Sequence, residues 1–305
     1  MTITTVAQVA EAYDAGRHWT GYMRRTAPAL TAGFWFDFTY ASGIPVANFY
    51  ASTPLWQKAL EATDGILHGP DVNASGWKKY LHKALFTPLA PSIGQATLHI
   101  HDIVAYYPFI DGDGGSQDLT NVLSSVRYGG VDCDLMVVSQ GAGYANASDV
   151  AITYTDAYGV SKSINSLFLY TTAPAAQIAS QQYDAMSLGV FGGSPYLQLP
   201  TGIKSIENVT FPTGVGGIFA FAIVRVLGTI SLQEIGTPIE VDYIRDHMML
   251  EEVQDEVRAT EHLTGQQYVT LAQGARLYEH GRYRTTSLVE PRFNDQTLGW
   301  CVFRG

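Results

Sequence analysis

The stretch Gln95–Tyr128, QATLHIHDIVAYYPFIDGDGGSQDLTNVLSSVRY, decides the fold. Leu98, Ile100, Val104 and Tyr106 fall on one side of an extended chain, and Thr97, His99, His101, Ile103 and Tyr107 on the other. Period two marks a strand with a buried face. Proline has no N–H for a β-ladder, so Pro108 is expected to end the strand. Asp111-Gly-Asp113-Gly-Gly115 then supplies turn residues that tolerate positive φ. The expectation is a long strand feeding a polar, glycine-rich loop.

The same reading extends outward. Phe34, Phe36, Phe38 and Tyr40 alternate with Trp35 and Asp37, which predicts a strand whose aromatics fill a sandwich interior or an interface. Cys133–Ser139 reads as a buried strand. Val150–Thr155 and Val160–Tyr170, joined by Asp156-Ala-Tyr-Gly159, read as a β-hairpin. Ile206–Phe211 is a strand, and Ile218–Leu227, the most apolar run, reads as a central one. Thr229–Ile235 follows Gly228 as a neighbouring strand. Trp77–Lys83 fits a short strand or a helical turn.

Helical signals are few. Thr5 can cap a short helix over residues 5–14, with Val6, Val9 and Tyr13 on one face and Gly16 as its stop. Such a helix is marginal alone and needs a docking surface, either a neighbouring subunit or its own sheet. Arg17–Arg25 reads as a basic, solvated segment. Met249, Val253 and Val257 are spaced for a second, acidic helix from about Arg245 to His262. Many short strands between Gly/Pro turns predict an all-β protein, an antiparallel β-sandwich of jelly-roll type. Residues 1–30 form its N-terminal helix or arm, and 31–305 the sandwich domain with loop-rich insertions.

Composition narrows the function classes. Only 15% of the 305 residues are charged, against a usual value of about 25%, which suggests surface covered by partners. A net charge of −10 argues against direct nucleic-acid binding, which needs basic surface to displace counterions. No apolar run is long enough for a membrane span, and MTITTVAQ lacks the basic and apolar regions of a signal peptide. Cys133 and Cys301 match no metal or redox spacing and read as buried thiols.

Candidate chemistry is sparse. Asp111, Asp113 and Asp118 suggest a calcium loop, but the EF-hand register fails: Val122 stands where a bidentate Glu belongs. A turn without metal is the better reading. His99 and His101 share a strand face and could chelate zinc, yet no third ligand follows from spacing. Histidines satisfied by polar neighbours are the simpler reading. Val137-Val-Ser139-Gln-Gly141 lacks the first glycine of a nucleophile elbow, and no phosphate-binding loop is present. The expectation is therefore a non-enzymatic protein without catalytic, cofactor or metal residues.

Two blocks carry a resemblance. The first is Tyr106-Tyr-Pro-Phe-Ile-Asp111, the acidic loop, Asp118-Leu-Thr-Asn121 and Arg127-Tyr128. The second is Phe221-Ala-Ile-Val-Arg-Val-Leu227, Ile230-Ser-Leu, Glu234-Ile-Gly-Thr-Pro238 and Glu240-Val-Asp242. With Gly274-Ala-Arg-Leu-Tyr278 and Leu298-Gly-Trp300, they resemble a family of tailed-bacteriophage virion proteins, over roughly residues 30–305 but not between Tyr243 and Gln273. The resemblance implies a capsid decoration (cement) or minor head protein, made in the host cytoplasm and carried on the capsid exterior. Its implied partner is the major capsid protein. A tail-associated receptor- or glycan-binding module is the alternative. Matching the threefold positions of a capsid lattice would favour a homotrimer, with contacts through Phe34–Tyr40 and the N-terminal helix.

Overall fold

The computed structural model describes residues 6–25, 35–37, 43–44, 57, 79–88, 96–119, 127–140, 148–169, 178–180, 196–232, 238–242, 269–271, 277–283 and 296–304. Among them lie one α-helix, α1 (Val6–Asp14), a short 3-10 turn at Arg127–Gly130, and fifteen strands. The first six are β1 (His18–Arg25), β2 (Trp35–Asp37), β3 (Gly43–Ile44), β4 (Lys79–Pro88), β5 (Ala96–Asp111) and β6 (Ser116–Asp118). Next come β7 (Asp134–Ser139), β8 (Ser148–Thr155), β9 (Ser161–Leu169), β10 (Ser205–Thr210) and β11 (Ile218–Leu232). The last are β12 (Ile239–Asp242), β13 (Val269–Leu271), β14 (Leu277–Tyr283) and β15 (Gln296–Arg304).

The protein is all-β, and every pairing between these strands is antiparallel. One sheet runs β12-β4-β15-β1-β3, with β13 also on β4. A second runs β6-β10-β8-β9, and a third β2-β14-β5-β11-β7. The predicted acidic helix at 245–262 lies outside the described residues. No described helix is long and apolar enough to cross a membrane.

The third sheet is covered on both faces, which explains why β5 and β11 are apolar with so little alternation. Phe219, Phe221 and Ile223 enter a large core that also takes Val9 and Ala12 from α1, Tyr80 and Phe86 from β4, and Val150 and Ile152 from β8. Ala220, Ala222 and Val224 enter a second cluster with Trp35, Ile103, Tyr106 and Tyr196.

Several details depart from the sequence expectations. Pro108 does not end β5. Ile110 pairs with Phe219 and Tyr107 with Phe221, so β5 carries an extra residue at Pro108–Phe109. A bulge is where a strand tolerates a residue without an N–H. Another bulge leaves Val104 between Ile103, which pairs with Val224, and Ala105, which pairs with Ile223. One extra residue reverses the sidedness of everything after it. Tyr106 therefore packs with Ile103, while Tyr107 joins Leu98 and Ile100. Gly228 likewise does not separate two strands: it sits at a register shift inside β11.

The basic segment 18–25 is a strand between β15 and β3. The α1 helix packs on its own chain, and Trp35 and Phe36 are buried within the chain. The described part of the aromatic strand is thus core and not an open surface for subunit contacts.

Candidate functional site

The polar side chains of interest cluster around β5, on both faces of the sheet. Asp102 is fully buried in the middle of an apolar strand, where an unpaired carboxylate would be strongly unfavourable. Arg127 grips it with two nitrogens: Nε donates to Oδ2 at 2.9 Å, and a terminal guanidinium nitrogen donates to Oδ1. That terminal nitrogen also donates to the Ile103 carbonyl at 2.7 Å. Planar bidentate pairing is what Arg supplies and Lys does not.

Tyr128 completes the site by donating its hydroxyl to Asp102 Oδ2 at 2.8 Å. Its ring lies 4.5 Å beneath the guanidinium of Arg225, a cation–π contact, and Arg225 also faces Asp132 at 3.6 Å. Tyr128 adopts φ 61°, a left-handed conformation that a bulky residue takes only when its surroundings hold it there. Burial, then the charge of Asp102, pushes the Tyr128 phenol well above its ordinary value, so it stays a donor. Burial also pushes the Cys133 thiol up to about 12, leaving it a poor nucleophile.

The opposite face carries a network in which ring groups hydrogen-bond to one another. The Tyr196 hydroxyl lies 3.1 Å from His99 Nδ1 and 3.2 Å from His101 Nδ1. A phenol has one proton, so it donates to one imidazole and accepts from the other. The Trp35 ring packs 4.5 Å from that of His99. Burial, then the charges of Asp134 and Asp37, pushes the Tyr196 phenol well above its ordinary value. Burial raises Asp134 to about 6, although the Leu199 amide donates to it.

The acids considered for calcium are engaged elsewhere. Asp111 Oδ1 accepts from the Asp113 amide at 2.9 Å, and Asp113 Oδ1 from the Gly216 amide at 2.9 Å. Gln117 brackets Asp111 by accepting from its amide and donating to its carbonyl. Asp118 instead accepts from Asn208 of the adjacent strand at 2.7 Å. These acids staple the β5–β6 turn to the start of β11 and β6 to β10. Among the described residues, no three His, Cys, Asp or Glu side chains converge as a metal set.

A third polar group lies on the first sheet. His82 Nδ1 is 3.3 Å from the Tyr13 hydroxyl, and its Nε2 is 3.4 Å from Asp242 Oδ1. Lys83 adds ion pairs to Glu240 and Asp242. Burial lowers His82 to about 4, so the ring is neutral at pH 7 even beside Asp242.

His99 and His101 meet through Tyr196, a residue that sequence spacing did not single out. Asp102 and Arg225 were missed as a pair although the signal was present: each is a lone charge within a long apolar strand, which calls for a partner. Comparison with protein-family models, curated proteins and solved structures found no match for this chain.

Proposed function

We propose that this chain is a non-enzymatic virion protein that binds and stabilises the outer surface of a bacteriophage capsid. The supporting observation is where the two resembling blocks meet. Asp102, Arg127 and Tyr128 come from the stretch around the first block, Arg225 from the second, and they join in one buried network across β5 and β11. Tyr107 of the first block also accepts the Ile206 amide at 2.9 Å, tying β5 to β10. Asp111, at the end of the block's first run, holds a turn. These motif residues are explained by architecture, which favours a structural role over catalysis.

Binding the assembled shell and not its precursor would stabilise the shell by linkage. Threefold or quasi-threefold lattice positions suit a homotrimer, whose avidity needs no single strong contact. Since Trp35 and Phe36 are internal, such contacts use other surface; Tyr158 and Val160, exposed at the β8–β9 turn, are apolar groups placed for it.

Copy number in purified particles tests the reading. On the order of hundreds of copies per particle supports a lattice protein, as repeated lattice positions require. A few copies confined to the tail would favour the receptor- or glycan-binding alternative. Absence from particles would overturn both.

A further inference from the structure

We propose that His99, His101 and Tyr196 form a binding site for a late first-row divalent transition-metal ion, independently of any capsid role. The two imidazole Nδ1 atoms stand 3.1 and 3.2 Å from one phenol oxygen. With bonds of about 2.0–2.1 Å, donors of a tetrahedral metal site stand roughly 3.3 Å apart. Each imidazole–phenol pair thus already stands close to the spacing of two donors on one ion. Alternate residues of one rigid strand supply both imidazoles, so the backbone sets their spacing.

The surroundings suit a cation. Asp37 is buried, and its charge and that of Asp134 act on Tyr196. Strand register aligns Asp37 with His99 across β14. His101 and Tyr196 are buried, whereas His99 is partly exposed and gives the ion its way in. Binding would release the phenol proton to solvent, shift the proton of the donating imidazole from Nδ1 to Nε2, and leave a phenolate, which the metal charge stabilises against burial. Nitrogen and phenolate donors favour Cu(II) over the other divalent ions of the row, with Zn(II) below it.

The test uses the full chain, stripped with chelator and titrated separately with copper sulfate and zinc chloride. The expected result is one Cu(II) per chain, with a visible phenolate-to-copper charge-transfer band and nitrogen hyperfine coupling from two imidazoles. Zn(II) should compete for the same site. Tyr196→Phe should abolish the band, and both it and His99→Gln should weaken copper binding by at least about tenfold. His82→Gln, on a different sheet, should change neither. Copper bound without the band, or bound equally well by Tyr196→Phe, would mean an adventitious ion only and would overturn the site. The band and hyperfine pattern are read on the unaltered protein, so the test stands even if a variant fails to fold.

Discussion

His101 and Asp102 are neighbours in the chain and both are fully buried, yet they are satisfied in different ways. Asp102 faces the core shared by the three sheets and holds its charge against Arg127, with Tyr128 and Arg225 stacked behind. His101 faces the smaller cluster and shares a phenol with His99. The charged network joins β5 to the Arg127–Gly130 turn and to β11, and it holds Tyr128 in a left-handed conformation. The network of rings is joined through a single phenol oxygen. A charged buried network loses much when one partner goes, because an uncompensated charge stays behind. Removing only the shared phenol hydroxyl costs hydrogen bonds.

That difference yields the largest predicted effect. Asp102→Ala leaves Arg127 and Tyr128 facing a gap in the core. Denaturant unfolding should show a loss of about 3–5 kcal/mol. Tyr196→Phe keeps the ring in its cluster and removes only the shared hydroxyl. Its cost should be about 1–2 kcal/mol by the same measurement. Equal losses in the two variants would break the contrast between the faces.

The contrast was partly legible in the sequence. The strands around Gln95–Tyr128, the β8–β9 hairpin and the apolar β11 follow from period, turn residues and β-branching. The sidedness of β5 beyond Ile103 does not, because the bulge at Val104 depends on how β11 pairs and leaves no local mark. Pro108 misled for the same reason: whether a proline ends a strand depends on whether its partner needs an N–H there. Asp102 and Arg225 announced a partner by standing alone in apolar runs, while Tyr196 is distant in sequence and had no signal. The β1 segment hid its strand because a basic composition resembles solvated chain.

Titration sharpens the comparison, since burial moves two groups in opposite directions. Asp134, near the His–Tyr cluster, is raised to about 6 in the folded chain. The folded state then binds its proton more tightly than the unfolded state, so stability falls as pH rises from about 4 to about 6. His82, on the first sheet, is lowered to about 4 from 6.5. Here the unfolded state binds the proton more tightly, so stability falls as pH drops from 6.5 towards 4. The two slopes oppose each other in the same window. Asp134→Asn should leave stability rising with pH there, and His82→Gln should leave it falling. Urea midpoints across that range measure both, and parallel profiles for the two variants would contradict the assignment.

The smallest effect is expected at a turn whose polar bonds stay outside β5. Asp156 closes the β8–β9 turn: its Oδ1 accepts from the amides of Tyr158 and Val160, each at 2.9 Å, and its own amide donates to the Val160 carbonyl. Gly159 supplies the positive φ of 81° that the turn requires. The Val160 amide above all holds the Asp156 carboxyl below its ordinary value. The carboxylate therefore favours the turn above the ordinary carboxylate range, and that contribution is lost as pH falls through the folded value. The Thr201 hydroxyl also donates to Asp156, but none of these bonds reaches β5, so Asp156→Ala should lower the cooperative unfolding midpoint less than either variant in β5's networks. It should instead speed amide hydrogen exchange at Tyr158 and Val160 while exchange in β5 and β11 stays slow. Faster exchange in β5 would show that the turn is coupled to the buried networks.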